Sequence, residues 1–381
     1  MAHERTDVHP PNKDLDDFLS VRNLIDEHFD VSDVYISDNF IRFTVHSVRG
    51  DYETIRRCFA SYGYFPLFRR LGGRNMCTLV KFRQRLFAPS RETWIALGLL
   101  AATVLTTLWT GWIMAQQYAV IGGRAENPWL DAALFSAGLL LILGGHELGH
   151  KWAAARNGVV STPPYFIPAP PPFPFGTLGA IIKMRSPMPN RDAMIEVGAT
   201  GPIVGFLLAL PVMIAGLALS HVVPMSSLPK GESMLFGEPL LLTVMSRLFF
   251  DMGSGHVLVL HPLGFAAWVG LFVTSLNLIP MGQLDGGHVA RALLGRQNAN
   301  RLTWAVVGLL LILGMFQFTG WILWAVLGAA LSRRRAAIIN DITPVSPQKR
   351  LLGLAALVIF ALTFIPSPVY APLLEFFEGK F

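Results

Sequence analysis

The pattern of apolar and polar positions changes character near residue 91. Before it, short apolar runs alternate with polar residues. The pattern predicts, in order, a helix, a strand pair, a second helix and a hairpin, at 13–30, 34–47, 51–64 and 65–82. The turns of the strand pair and of the hairpin are placed at Asp38-Asn39 and Gly72-Gly73. The sequence therefore predicts a small α+β domain over 1–91.

After residue 91 the apolar runs become long. Seven segments follow, at 93–115, 129–153, 196–219, 262–280, 302–318, 320–332 and 351–370. A transmembrane helix needs about 20 residues, and most segments reach that length. The pair divided by Gly320 is shorter and predicts a hairpin. A further apolar stretch at 235–250 is interpreted as an interfacial helix. The pattern predicts about six to seven membrane spans, as a core over 92–300 and C-terminal helices over 301–381.

Residues 159–190, between the second and third spans, contain seven prolines between positions 163 and 174. Proline removes a backbone donor and clashes with the preceding turn, so this stretch is not a helix. It is also too apolar for an ordinary loop. Non-helical backbone at membrane depth is tolerated only when it is buried in protein or lines a wet cavity. We therefore predict a re-entrant or extended loop, in which residues 176–184 supply an extended edge.

Composition supports this architecture. The chain is 52% hydrophobic and only 15% charged, against about 25% charged in an ordinary soluble domain, which excludes soluble globular and disordered proteins. The 381 residues carry a net charge of +6. Because no Lys/Arg stripe is interleaved with aromatic residues, nucleic acid is not predicted as a partner. The two cysteines predict no disulfide framework, and the N-terminus lacks the apolar core of a cleaved signal peptide.

The basic residues at the segment ends predict the orientation. Seventeen Lys and Arg residues fall on one side of the predicted bilayer and four on the other. Cytoplasmic loops carry the excess of basic residues. The sequence thus predicts a polytopic α-helical membrane protein with a small N-terminal α+β cytosolic domain.

A metal-binding motif, His146-Glu147-Leu148-Gly149-His150, lies near the cytosolic end of the second apolar segment. On a helix the two histidines project from one face and can reach one Zn²⁺, while Glu147 takes a proton from the metal-bound water. Random matching of this composition gives roughly 0.008 occurrences of the motif, so chance does not explain it. Ionisable residues inside a membrane span are costly and mark function.

A hydrolytic zinc site needs a third protein ligand and one open position. Asp285, just after the segment 262–280, is the carboxylate that fits this role at the same predicted depth, and we favour it. His288 is the rival ligand; otherwise it supports a ligand or caps a helix. Asn277 is interpreted as a residue that hydrogen-bonds the substrate backbone or polarises the scissile carbonyl, or that packs against another helix.

Other ionisable residues near segment ends are interpreted as structural. Asp131 and Glu196 are predicted to be helix-end or interfacial charges, and His261 an interfacial residue. Gly201-Pro202 suggests a kink or a close approach of two helices. A second function class stays open, a metal-ion transporter or channel component that uses the same His and Asp residues. Against it, a transporter needs no glutamate beside its first ligand, and the halves of the chain show no inverted repeat.

Two motifs together resemble the site-2 protease family of intramembrane zinc metalloproteases. They are HELGH at 146–150 and NLIPMGQLDGG at 277–287. The blocks GTLGAIIKMRSPMPNRDAM (176–194) and ATGP (199–202) resemble the plant chloroplast and related bacterial branch. The chain lacks the PDZ-like insertion of better-known bacterial members.

The resemblance implies a zinc-dependent endopeptidase that cleaves transmembrane segments of membrane-protein substrates within the lipid bilayer. It implies one zinc ion held by His146, His150 and Asp285, with Glu147 as general base. It also implies that Gly176 and Gly179 lie on an extended loop that receives substrate as a strand.

Overall fold

The computed structural model describes residues 13–37, 40–50, 52–71, 73–81, 89–123, 127–171, 173–227, 236–251, 253, 255–332 and 338–369. The chain divides into two compact units, the first formed by Met1–Phe87 with Ile338–Pro344, the second by Ala88–Ala337 with Val345–Phe381. Three residues of the predicted turns lie outside the described residues, namely Asp38, Asn39 and Gly72. So do eight of the basic residues counted for the orientation, namely Arg83, Arg85, Arg124, Lys230, Arg333, Arg334, Arg335 and Lys380.

The first unit is a sheet with two helices. Its elements are α1 (Lys13–His28), β1 (Phe29–Ser37), β2 (Phe40–Val48), α2 (Tyr52–Ser61), β3 (Tyr64–Leu71), β4 (Arg74–Lys81) and β10 (Ile338–Asn340). The strands lie in the order β1-β2-β4-β3-β10. The predicted N-terminal α+β architecture is confirmed. The sequence analysis assigned no strand at 338–340, where β10 runs parallel to β3 with Asn340 opposite Phe68.

Aromatic side chains fill the core of the first unit. The ring of Phe29 lies 5.5 Å from that of Phe43, 6.0 Å from that of Phe59 and 5.6 Å from that of Phe68, between centroids. Cys77 is fully buried in the same cluster, and this burial raises the pKa of its thiol. The apolar positions that alternate along the strands thus meet on one side of the sheet.

The second unit is a bundle of apolar helices: α3 (Pro89–Val120), α4 (Pro128–Arg156), α5 (Arg191–Leu219), α6 (Leu240–Phe249), α7 (Pro262–Leu278), α8 (Asp285–Phe316), α9 (Gly320–Leu331) and α10 (Pro347–Thr363). Among the described residues, four helices are long and apolar enough to cross a membrane, namely α3, α4, α5 and α8. The structure is therefore rich in helices, and its four long apolar helices fit a membrane protein. The predicted total of six to seven spans stays a prediction.

Helix α8 begins far earlier than the predicted segment 302–318. Its first part is too polar to stand out as an apolar run, although it is helical from Asp285 onward. Gly295 interrupts the helix with φ 75° and ψ 173°. Glycine accepts this left-handed conformation because it has no Cβ. The result is a short first half, up to Leu294, that joins a longer apolar second half at a break.

The proline-rich stretch is non-helical, as predicted, and contains an antiparallel hairpin of β5 (Tyr165–Pro168) and β6 (Thr177–Ile181). The register shifts between the pairs Phe166–Ala180 and Pro168–Thr177. The remaining strands are β7 (Met188–Asn190), β8 (His221–Pro224) and β9 (His256–Val259), and β8 pairs with β9. From the loop of the β5–β6 hairpin, Phe175 packs against Phe265 and Trp268 of α7, which anchors the hairpin to the bundle.

The charges assigned to helix ends or interfaces prove to be buried pairs. Asp131 and His261 are 7% and 3% exposed, and the carboxylate of Asp131 accepts a hydrogen bond of 3.0 Å from His261 Nε2. Glu196 is 6% exposed and pairs with Lys349 of α10 and Arg156 of α4. Asp131 lies in the first turn of α4 and His261 is the N-cap of α7, so both are at helix ends. The partners that compensate these charges come from other helices, which a single sequence window does not reveal.

Candidate metal centre

Three side chains from two helices converge inside the second unit. Nε2 of His146 lies 3.2 Å and Nε2 of His150 lies 3.1 Å from Oδ2 of Asp285. The two Nε2 atoms are 3.1 Å apart. Both histidines lie on α4 and are at most 5% exposed, while Asp285 is the first residue of α8. In the part of the chain that the structure describes, these three form the group of His, Cys, Asp or Glu residues able to hold a metal ion.

The donor set and its spacing fit zinc. Zn²⁺ binds His nitrogen and carboxylate oxygen at about 2.0–2.2 Å, so tetrahedral ligand atoms stand roughly 3.3–3.5 Å apart. The three separations between the ligand atoms, 3.1–3.2 Å, come close to that value. Three protein ligands leave a fourth position open, the arrangement of catalytic rather than structural zinc sites.

The backbone of α5 orients His150. Its Nδ1 donates a hydrogen bond of 2.7 Å to the carbonyl of Val197. A neutral ring that donates through Nδ1 has an unprotonated Nε2, which here faces the other two side chains of the group. The sequence analysis did not identify Val197, because a backbone carbonyl 47 positions away carries no signature in its side chain.

Two glycines of α5 let it lie close to the histidines. A Cβ at Gly201 would stand 2.2 Å from Nε2 of His150, and one at Gly205 would stand 3.1 Å from Nδ1 of His146. The close helix approach predicted from Gly201-Pro202 is thus confirmed. The glycines belong to the metal centre although they contribute no ligand.

The turn between α7 and α8 places Asp285. A Cβ at Gly286 would stand 1.9 Å from the carbonyl oxygen of Leu278, and one at Gly287 would stand 2.6 Å from that of Gly282. Only glycine allows α8 to start so close to the end of α7. The two glycines after Asp285 therefore set the depth at which its carboxylate meets α4.

Glu147 lies beside the ligands and is 6% exposed. Its carboxylate accepts a hydrogen bond from the backbone of Ile182, the residue that follows β6. A buried carboxylate next to the group is thus linked to the end of the β5–β6 hairpin. The sequence analysis predicted Glu147 from the motif but did not identify Ile182.

Asn277 joins the cluster from α7, with Nδ2 3.4 Å from Nε2 of His146. His288, the rival ligand, lies one turn beyond Asp285 and is not part of the three-residue group. The structure thus brings Asp285 rather than His288 to the histidines.

The two loop glycines occupy different environments. Gly176 is buried against α3, where its carbonyl accepts a hydrogen bond of 2.7 Å from Thr106 Oγ1. A Cβ there would stand 2.8 Å from the backbone of Thr107. Gly179 has φ 99° within β6, and a Cβ there would meet nothing within 4 Å. Gly176 therefore packs the loop onto α3, whereas open space lies beside Gly179.

Fold and site together define a bundle of apolar helices with a His–His–Asp group and an adjacent buried glutamate. Residues 134–315 match Peptidase family M50. The chain thus carries a domain of this family, that of the site-2 proteases, and the resemblance is confirmed.

The relatives are named as metalloproteases. "Probable zinc metalloprotease EGY2, chloroplastic" from Arabidopsis thaliana is 31% identical over 283 residues, which cover 72% of this chain and 49% of that protein. "Probable zinc metalloprotease EGY1, chloroplastic" from the same plant is 32% identical over 63% of this chain and 44% of its own length. The chain thus spans about half the length of these relatives. No solved structure matches it.

Proposed function

We propose that this protein is a zinc-dependent intramembrane endopeptidase that cleaves transmembrane segments of membrane-protein substrates. The observation that carries the proposal is the convergence of His146, His150 and Asp285 within 3.2 Å, inside a bundle of apolar helices and next to Glu147. Charged groups in such surroundings are retained for function. The family and the names of the relatives support the same chemistry.

The residues of the metal centre have different proposed roles. His146, His150 and Asp285 would hold one zinc ion, which lowers the pKa of a bound water and polarises a carbonyl. Glu147 takes a proton from the attacking water and later delivers it to the leaving amine. The amide of Asn277, on the same side as His146, donates a hydrogen bond to the substrate backbone.

Substrate is proposed to enter from the bilayer as a locally unwound segment that adds to β6. A helix hides its peptide carbonyls in its own hydrogen bonds, so cleavage requires unwinding, and a strand edge replaces the lost partners. The contact between Glu147 and Ile182 supports this path, because it places the end of β6 beside the general base. The open space at Gly179 leaves room for a substrate side chain, while Gly176 holds the loop in place.

Orientation is part of the proposal. The excess of Lys and Arg on one side of the predicted bilayer, seventeen against four, places the N-terminal unit and the metal centre toward the cytosol. Water would then reach the centre from the cytosol while substrate arrives sideways from lipid. The transporter alternative gains no specific support, because permeation does not require a buried glutamate beside the ligands.

The test is Glu147→Gln in the full-length protein. Zinc content should stay at about one equivalent, because the three ligands are untouched, while turnover should fall by at least about 100-fold with loss of the general base. Membrane proteomics should show single-span proteins that accumulate uncut. Glu27→Gln, which changes an exposed glutamate of the first unit, is the matched control. Activity within tenfold of wild type in Glu147→Gln would contradict the proposal.

A further inference from the structure

A small cavity lies beside the first half of α8, apart from the three metal-ligating side chains. Its volume is about 40 Å³. Arg291, Arg296 and His288 line it from α8 up to and just past the break at Gly295, and Asn300 and Ser332 complete the polar wall. None of the described residues that line it carries a carboxylate. Cationic and hydrogen-bonding groups thus share one partly open cavity.

The break in α8 explains why two arginines reach the same cavity. In a continuous helix, residues five positions apart point roughly 140° away from each other. Gly295, with φ 75°, interrupts the helix between Arg291 and Arg296, so this angular rule does not apply to them. A third cation lies nearby, since a Cβ at Gly295 would stand 3.4 Å from Nη2 of Arg191.

Small residues keep the space open. Gly282, Gly287 and Ala299 form the rest of the wall. Gly282 has φ 57°, and a Cβ there would stand 3.3 Å from Oγ of Ser332. A larger side chain at Gly282 would therefore crowd the polar group at the rim, whereas glycine leaves it accessible from the cavity.

Size and chemistry together favour a tetrahedral oxyanion. A cavity needs about 10–15 Å³ of this kind of volume for one water, so 40 Å³ holds about three waters or one phosphate group. Guanidinium groups match phosphate oxygens with paired, charge-assisted hydrogen bonds.

We propose that this cavity binds a phosphate group. Its source is either an anionic lipid headgroup or free phosphate. The basic ends of the spans predict this region at the cytosolic leaflet, where anionic lipid headgroups concentrate. The cavity is not lined by the metal-ligating side chains. Phosphate binding there can therefore be tested independently of the proposed peptidase activity.

The experiment uses the full-length protein in phosphatidylcholine nanodiscs, after treatment with a chelator to remove metal. In one arm, sodium phosphate replaces sodium chloride at constant ionic strength, and the change in thermal unfolding is followed to obtain an affinity. In the other arm, phosphatidylglycerol is mixed into the nanodiscs, and native mass spectrometry counts the lipids that stay bound. Arg296→Gln is the test variant, and Arg301→Gln is the control. Both arginines are exposed on the second half of α8, but Arg301 does not line the cavity.

We expect binding in at least one arm, weakened roughly tenfold by Arg296→Gln and unchanged by Arg301→Gln. Selective retention of phosphatidylglycerol assigns the lipid headgroup, and a response to inorganic phosphate alone assigns the free ion. Three results would each overturn the proposal: no binding in either arm, equal losses in the two variants, or an undiminished affinity in Arg296→Gln.

Discussion

Asp285 and His288 lie one turn apart on α8, yet their side chains reach different places. The carboxylate of Asp285 lies within 3.2 Å of both histidines, whereas His288 lines the cavity beside Arg291. Because ligand geometry depends on sub-ångström placement, one helical turn separates the candidate metal ligand from a residue that lines the cavity.

This difference predicts unequal effects on metal content. Asp285→Ala removes one of three ligands, so zinc affinity should fall by at least about 100-fold, while His288→Ala should change it less than about threefold. Inductively coupled plasma mass spectrometry of the purified variants, with chelator competition for affinity, measures both. A larger loss in His288→Ala than in Asp285→Ala would reverse the ligand assignment.

The two thiols of the first unit predict a labelling pattern. Cys77 is buried with a raised pKa, while Cys58 is partly exposed. Since the thiolate is the reactive form and a raised pKa shrinks its fraction, one thiol per chain should react with maleimide in the folded protein at pH 8. Both should react after denaturation. The rest of the chain has no cysteine, so the number of maleimide labels counted by mass spectrometry reports on the first unit alone. Equal rates for the two thiols in the folded protein would contradict the burial of Cys77.

At the scale of elements, the metal centre depends on how closely α4 and α5 pack. Gly201 and Gly205 bring the backbone of α5 against the two histidine rings, and Val197 of the same helix fixes His150. One face of α5 therefore makes room for the two histidine rings and orients His150, although α5 itself contributes no ligand.

Gly201→Ala should weaken zinc binding by at least about tenfold, because the added Cβ would overlap the ring of His150 and force it from its position. Gly308→Ala is the matched control, since a Cβ at Gly308 meets nothing within 4 Å. Chelator competition compares the two variants with wild type. An unchanged affinity in Gly201→Ala would mean that α5 shifts away without disturbing His150.

The sequence predicted those parts of the centre whose residues are chemically distinctive. His146, Glu147 and His150 follow from helical spacing, and Asp285 from its rarity in an apolar stretch. A close helix approach at Gly201 was predicted, but its partner His150 and the carbonyl of Val197 were not, since both depend on which helix packs against α4. The N-terminal elements were predicted because their periodicity is strong. The first half of α8 was not, because Arg291 and the other polar residues there interrupt the apolar pattern.

At the scale of the whole molecule, the first unit is built from two segments that are far apart in the sequence, Met1–Phe87 and Ile338–Pro344. Strand β10 lies beside β3, and Ile342 packs against the same core as Phe29 and Phe68. The N-terminal segment alone therefore lacks the strand β10 and the side chain of Ile342, which packs on the core.

A fragment of residues 1–87 should be less stable than the same fragment with 338–344 attached through a flexible linker. If the added strand contributes about 1 kcal/mol, the melting temperature should rise by about 4–8 °C. Circular dichroism during heating measures it. A linked fragment with Ile342→Ser should lose much of the gain, because the apolar contact with the core is removed. Equal melting temperatures for the plain and linked fragments would show that this segment adds nothing to the unit.

The return of the chain to the first unit also restricts the number of times that the chain can cross the membrane. Strands β4 and β10 both belong to one sheet with its own core, and a folded sheet does not have strands on both sides of a bilayer. We therefore predict that the chain between β4 and β10 crosses the membrane an even number of times. With an odd number of crossings, β10 could not pair with β3. This holds whichever of the shorter helices span the membrane.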